Sequence, residues 1–342
     1  MRRAVLLGVS DTKRTKYLKR AAKRIGLPLS FAGWKDWRDK FKSFEPDGVV
    51  MKIDPPRWDS PLLGDLDDLA KDYRKQLKEL ADASDRYNMR FLNHPSEISA
   101  LLDKAGCKET LRRAGIPVTE LLAGNVRDVE RLFEIMKQKN ACQVFIKPVN
   151  GSGAAGVAAF RKQEGSGRMA LYTCAAEHPK KGLVNTGRLR RFSDKREIFS
   201  LLNRLFEMEC VVERWHAKAE HQGCSYDLRA VVQDGKCDCL LARLSKGPIT
   251  NLQLNNHPLD VDGLGLSLDI LEEILDISKR AMRQYPRLLS AGIDILLEKG
   301  SLKPRIIEMN GQGDLIYQDI YRKNAIYLHQ AELIKKMGEE LG

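Results

Sequence analysis

Three oxygen-bearing side chains near the C-terminus, Asp294, Glu308 and Asn310, have the types and spacing a hard divalent cation asks for. They lie in AGIDILLEKGSLKPRIIEMNGQGD, where two apolar runs flank Lys299-Gly300-Ser301. If those runs fold back as an antiparallel hairpin centred near Ser301, Asp294 stands opposite Glu308. Asn310, two residues on, then shares the face of Glu308. Magnesium keeps several waters and binds nucleotide phosphates through one or two carboxylates and a neutral oxygen, which this hairpin would present. Taken alone, a surface hairpin with water-facing acids is the commoner outcome; the rest of the chain argues for the metal.

Gly151-Ser152-Gly153-Ala154-Ala155-Gly156 matches G-x-G-x-x-G, a pattern shared by several phosphate-binding designs. A dinucleotide fold needs a helix directly after it. Here GVAAFRKQEGSG offers a short apolar run and then a Gly/Ser break, so strand, loop, strand is expected. A kinase flap precedes its lysine and comes with H-R-D and D-F-G sequences, whereas Lys147 stands before this loop and neither sequence occurs. The G-x-x-x-x-G-K-[ST] phosphate loop is missing too. A glycine-rich hairpin flap remains, and its glycines cost order unless the backbone must approach something closely. Lys104, following a predicted cap at Asp103, would sit in the first turn of a helix, where its charge opposes the helix dipole unless an anion binds there.

The elements that must position these groups belong to a 342-residue chain, 43% hydrophobic and 30% charged, with room for about two or three domains. The apolar run Ala4 to Val9 is too short for a signal-peptide core, and no run of about 18 apolar residues occurs, so a cytoplasmic protein without a membrane partner is expected. Seven scattered cysteines make no disulfide framework, and Cys237-x-Cys239 lacks partners at zinc spacing. The formal charge is +12, and residues 1–42 hold 13 Lys/Arg against 3 Asp/Glu. The basic helix with Lys13, Arg14, Lys16, Lys19, Arg20, Lys23 and Arg24 reads as a solvated face or as weak support for acidic substrates. No nucleic-acid fold motif or stacking platform accompanies it, so nucleic acid is not an expected partner.

Along the chain, the strand RAVLLGV leads into that basic helix, followed by the buried strand DGVVMKI and a helical stretch from Leu62 to Ala83. Ser96 and Asp103 cap two further helices, the second stopped at Gly115-Ile116-Pro117. A helix from Asp128 to Met136 leads to the strand QVFIKPV, and another with Ile198, Leu201, Leu202 and Leu205 precedes ECVVER. A hairpin from Tyr226 to Leu244, turning at Asp234-Gly235, and a helix from Leu268 to Met282 come before the acidic hairpin.

Asn93-x-Pro95, Asp103-Lys104, Gly115-Ile116-Pro117, Ile146-Lys147-Pro148 with its Gly/Ser loop, Glu213, Asp227-x-Arg229, Thr250-Asn251 and Asp294...Glu308-x-Asn310 follow one another in this order. The series resembles ATP-grasp enzymes over about residues 90–320, and looks most like the glutathione-synthetase and ribosomal-protein glutamate-ligase branch. The resemblance implies an α/β (α+β) ATP-grasp fold. Its expected parts are an N-terminal Rossmann-like α/β domain (1–92), a lid subdomain with the glycine flap (93–212) and a C-terminal subdomain with the metal site (213–342). It also implies that Lys104 and Lys147 touch the phosphates of ATP, that Gly151, Ser152, Gly153 and Gly156 cover them, and that Glu213, Arg214 and Trp215 serve adenine through backbone groups. Asp294, Glu308 and Asn310 would hold one or two Mg²⁺ ions, with Mn²⁺ as a substitute, and Asp227 and Asn251 would meet substrate.

The implied reaction is ligation: a substrate carboxylate takes the terminal phosphate of ATP, and an amine or thiol then displaces phosphate from the acyl phosphate. Bringing two anions together requires cationic donors in a closed, dry site. Arg229 is the first candidate for gripping the acyl phosphate, since it alternates with apolar neighbours on the polar face that carries Asp227. Arg243 is the second, and its face depends on the loop. A two-residue turn pairs Arg229 with Leu240 and turns Arg243 away, whereas a longer loop or a bulge unites the two arginines. The sequence departs from the family in three places. Glu220 would have to replace the usual ribose-binding acid, Asn255-Asn256 stand where paired glycines are expected, and the basic run Arg188, Arg190, Arg191, Lys195, Arg196 is either a lid or a solvated face. A phosphotransferase on the same fold and a non-catalytic nucleotide- or polyanion-binding protein are the alternatives, and a homodimer is left open.

Overall fold

The computed structural model describes residues 4–43, 48–57, 60, 62–86, 88–151, 153–254, 256–312 and 324–340. Ser152, Asn255 and residues 313–323 lie outside this description. The first layer contains β1 (Ala4–Gly8), α1 (Lys13–Arg24), β2 (Leu29–Gly33), α2 (Trp37–Ser43), β3 (Val50–Ile53), α3 (Leu66–Arg86) and β4 (Arg90–Phe91). Its four strands are all parallel, in the order β2-β1-β3-β4. Alternation in β1 covers both faces of this sheet: Ala4 and Leu6 join the cluster of Leu18, Ala21 and Ala22 from α1, whereas Val5 and Leu7 join Tyr73, Leu77 and Leu80 from α3. Strand β2 gave no hydrophobic signal because only Ala32 of its five residues is buried.

Two short helices, α4 (Pro95–Leu101) and α5 (Lys104–Arg113), lead to a second sheet. It is built from β5 (Leu121–Val126), α6 (Val129–Gln138), β6 (Gln143–Pro148), β7 (Ala158–Lys162), β8 (Met169–His178), β9 (Gly182–Phe192), α7 (Lys195–Leu205) and β10 (Cys210–Arg214). All pairings are antiparallel, in the order β5-β10-β6-β7-β8-β9. The apolar stripes of α6 (Val129, Leu132, Ile135, Met136) and α7 (Ile198, Leu201, Leu202, Leu205) pack into its core, as their spacing requires.

The third sheet holds β11 (Glu220–His221), β12 (Cys224–Gln233), β13 (Lys236–Ser245), β14 (His257–Asp260), α8 (Leu268–Arg283), β15 (Ser290–Leu297) and β16 (Pro304–Asn310). It runs β14-β13-β12-β15-β16, antiparallel throughout, with β11 beside β12. The chain then ends in α9 (Ala325–Glu340), which returns to α1 through Tyr17 and Tyr327, ring centroids 5.6 Å apart. Cys107 and Leu111 of α5 share a core with Ile274 and Ile277 of α8 and with the third sheet, so packing joins α5 to that sheet although it precedes the second in sequence. Glu213, conversely, is on a strand of the second sheet. Among the described residues no helix is long and apolar enough to cross a membrane.

Candidate active site

In the hairpin of β15 and β16 Asp294 pairs directly with Glu308, and Asn310 pairs with Gly292 on the same face. Nearer the turn the register is one step different, Ile295 pairing Ile306, so an extra residue at Ile307 brings Glu308 opposite Asp294. Without it Asp294 would meet Ile307 and the carboxylates would point to opposite faces. A second bulge acts in the same way on β12 and β13. Asp234 and Gly235, with φ of 45° and 74°, form the two-residue turn, and Gln233 pairs Lys236. Val232 then pairs Cys237 but Val231 pairs Cys239, skipping Asp238. The plain pairing of Arg229 with Leu240 is thereby corrected: Arg229 meets Leu241, Arg243 meets Asp227, and both arginines share a face.

That face carries a buried charge network. The Arg229 guanidinium donates to both oxygens of Asp294. Arg243 Nη2 lies 3.1 Å from Asp294 Oδ2, and its Nε donates to Asp227 Oδ1 at 2.7 Å. Lys218 and Thr250 bond the other oxygen of Asp227. Burial would raise the pKa of Asp227, but Arg243 and Lys218 hold it down to about 2. Asp227 and Asp294 in turn push Arg243 above its ordinary value against its own burial.

Across from this face, Lys147 and Glu213 are diagonal neighbours on β6 and β10, with Nζ to Oε2 at 2.9 Å. Lys108 Nζ reaches the same oxygen at 3.2 Å and Thr119 Oγ1 donates to it at 3.1 Å. Glu213 is 2% exposed, yet the ammonium groups of Lys108 and Lys147 overcome its burial and lower its pKa to about 2. Burial disfavours the charge on Lys147, but Glu213 and then Glu308 hold its pKa above the usual lysine value. Glu213 Oε1 is buried without a hydrogen-bond partner, an orphan acceptor worth about 1–3 kcal/mol that a donor on a bound group would satisfy.

Lys104 lies in the first turn of α5, behind the Asp103 cap. Its ammonium donates to the carbonyls of Val149 (2.8 Å), Gly151 (2.9 Å) and Pro148 (3.4 Å), so loop oxygens offset the unfavourable dipole. Burial lowers its pKa. Asn150 is held by Arg74 and Asp67 of α3, both at 2.9 Å, so the start of the glycine loop is latched from two helices. A Cβ on Gly151 would stand 2.9 Å from the Ala155 carbonyl.

One cleft collects these groups. Lys104, Lys108, Lys147, Gly151, Gly153, Glu213 and Arg214 line it together with Lys218, Asp227, Arg243, Asn251, Asp294, Glu308 and Asn310. Asn310 Nδ2 lies 3.4 Å from Glu308 Oε1, close enough for amide and carboxylate to converge on one ion. Among the described residues no three His, Cys, Asp or Glu side chains cluster. Two carboxylates and an amide form a set suited to an ion that keeps waters, as magnesium does, and here the ion would share Asp294 with two guanidinium groups.

Several expected residues lie elsewhere. Glu220 does not line the cleft: on the short hairpin of β11 it is exposed and bonded to Lys299 at 2.8 Å. Trp215 is not a lining residue either, since its N–H donates to Gln143 O (3.3 Å) and its carbonyl accepts from Gln143 Nε2 (3.0 Å). Arg214 lines the cleft, but its N–H is taken by Glu120 O at 2.9 Å. Gly156 supports the loop from behind, with φ of 68° and a hypothetical Cβ only 2.7 Å from Pro148 Cγ. Arg229 lines the adjoining cavity instead of this cleft. The basic run from Arg188 to Arg196 lines neither. Lys108, Thr119, His216 and Lys218 were missed. The spacing of Lys108, four residues after Lys104 on one helix face, was the available signal for the first of them.

Two antiparallel sheets closing on a cleft, with a glycine loop and lysines on one wall and an acid-amide hairpin on the other, describe the ATP-grasp fold. Solved structures bear this out. The ATP-grasp ligase PsnB complexed with a minimal precursor superposes with a TM-score of 0.62 at 15% identity, over 98% of this chain and 100% of that one. The macrocyclase MdnC from Microcystis aeruginosa MRC, bound with precursor peptide MdnA, gives 0.62 at 12% identity over 97% and 99%. D-alanine–D-alanine ligase from Bacillus anthracis, complexed with ATP, gives 0.59 at 13% over 100% and 99%. No protein-family model and no curated protein matches the sequence.

Proposed function

We propose that this protein is an ATP- and magnesium-dependent ligase that joins a carboxylate to an amine through an acyl phosphate, with an amino acid or peptide as substrate. The observation that carries this reading is the meeting of Lys104, Lys147 and Glu213 with Arg243, Asp294, Glu308 and Asn310 in one cleft. Similar structures support it: PsnB was solved with a minimal precursor, Mg and ADP, and MdnC with its precursor peptide. The motif order favours the glutathione-synthetase and ribosomal-protein glutamate-ligase branch, working in the cytoplasm.

Lys104 and Lys147 would bind the phosphates of ATP beneath the latched glycine loop, and Glu213 would hold Lys147 charged. Asp294, Glu308 and Asn310 would hold one or two magnesium ions, or manganese, which neutralise phosphate charge. Arg229 and Arg243 would grip the acyl phosphate, and Asp227 would orient Arg243. Asn251, which lines both the cleft and the adjoining cavity, would meet the acid substrate. A carboxylate oxygen attacks the terminal phosphorus and ADP leaves; an amine then attacks the acyl carbon and phosphate leaves.

The test is ADP release across amino acids and peptides, with hydroxylamine present to trap an acyl phosphate as its hydroxamate. Hydroxamate and an amide product are expected. ADP release with a stable phosphorylated product and no hydroxamate would replace the ligase by a phosphotransferase. Glu308→Gln should lower turnover about a hundredfold or more with an unchanged thermal transition; full activity in magnesium would remove the metal assignment.

A further inference from the structure

We propose that the exposed basic face of α1 docks an acidic polypeptide, one carboxylate of which enters the cavity beside the nucleotide cleft. That entry rests on the ligase reading; the docking itself does not. The cavity measures about 520 Å³ and shares Arg243, Asn251, Glu308 and Asn310 with the cleft. Its cationic lining is Lys13, Arg14, Arg57, Arg229 and Arg243, against Asp54 and Glu308. Most of this charge is compensated locally. Asp11 pairs Arg57, Asp294 and Asp227 engage the two strand arginines, and Lys52 pairs Asp54. Lys13 and Arg14, at the start of α1, are left to set the sign of the entrance.

From there the charge continues along the helix. α1 (KRTKYLKRAAKR) holds seven Lys/Arg in 12 residues and no acid. Its Leu18, Ala21 and Ala22 are buried in the core that α9 shares, which leaves the opposite face to solvent. Among the described residues Lys13, Lys16, Lys23 and Arg24 make no ion pair, whereas exposed Arg112, Arg131, Arg204 and Arg280 on other helices each pair with an acid three or four residues away. An uncompensated row of like charges repels itself, and an anionic partner relieves that repulsion.

The partner's chemistry follows from what the row lacks and where it leads. Lys19 and Arg20 cover the rings of Phe31 and Tyr17, at 4.8 and 5.8 Å, so these rings are not bare platforms for stacked bases. The helix is about 18 Å long, the span of five or so extended residues. It ends at a cavity whose chemistry is directed at a carboxylate. A chain of glutamates or aspartates fits both parts.

Fluorescence anisotropy without nucleotide tests this, using a labelled glutamate-rich peptide, its glutamine counterpart and an RNA oligomer of equal charge at about 0.15 M salt. The glutamate peptide should bind and the glutamine peptide should not. Lys16→Glu with Lys23→Glu should weaken binding about tenfold or more, while Arg188→Glu with Lys195→Glu, an equal reversal on β9 and α7, should change it less than about twofold. No binding of the glutamate peptide, equal losses from both pairs, or RNA binding as tightly through the same lysines would overturn the proposal. Turnover does not enter this readout, so a protein that binds the peptide but never releases ADP contradicts the ligase reading alone.

Discussion

Glu213 remains charged in a dry site because two ammonium groups outweigh its burial. The sequence exposed one of them, Lys147, through its place before the glycine loop, and concealed the other, since Lys108 on α5 is far from Glu213 in the chain. A folded-state pKa of about 2 against 4.5 for an ordinary glutamate means stabilisation that is complete above about pH 4.5 and lost as the pH falls toward 2. Lys108→Met should raise that pKa and cost about 1–3 kcal/mol at pH 7. Urea unfolding across pH should show the wild-type advantage shrinking as the pH drops from about 5 to 2. A difference that does not vary with pH would contradict this account of Glu213.

Among the elements, alternation and turn residues revealed which strands carry Asp294, Glu308, Asp227 and Arg229, but not the registers that make them a site. Both registers depend on single extra residues, Ile307 and Asp238, and one extra residue leaves no mark in a hydrophobic pattern. Strands β8 and β9 were also illegible. β9 is an edge strand that is mostly solvated, so its alternation is weak. The glycine loop was read as a flap; the structure shows its stem latched by Lys104, Arg74 and Asp67 and packed on Gly156. Gly156→Ala and Gly165→Ala both impose a positive φ on alanine, but only the first also meets an obstacle, whereas Gly165 faces open space. Thermal melts should place Gly156→Ala lower, with a total loss of about 2 kcal/mol or more against about 1 for Gly165→Ala. Equal losses would mean that Pro148 yields and the loop is not packed as described.

For the whole molecule, three sheets and their covering helices were broadly legible in the order of apolar segments and caps, while the sharing of elements was not. α5 precedes the second sheet yet packs with the third, so Lys104 and Lys108 reach one wall of the cleft from a helix anchored to the other wall. A nucleotide bound there would tie the two sheets together. A magnesium complex of a non-hydrolysable ATP analogue at about 100 times its Kd should therefore stabilise the fold by about 2.7 kcal/mol. The upward shift of the thermal midpoint should require magnesium in the wild type and lose that requirement in Glu308→Gln.

The central claim, that Lys147 and the acidic hairpin serve one bound nucleotide, is most directly tested by calorimetric affinity for that analogue in Lys147→Ala and Lys162→Ala. Both changes remove one ammonium group near the glycine loop, but Lys162 is exposed, lies 5.0 Å from the Phe133 ring and does not line the cleft. The account predicts at least about a tenfold loss for Lys147→Ala and less than about twofold for Lys162→Ala. Equal losses, or none in either, would contradict it.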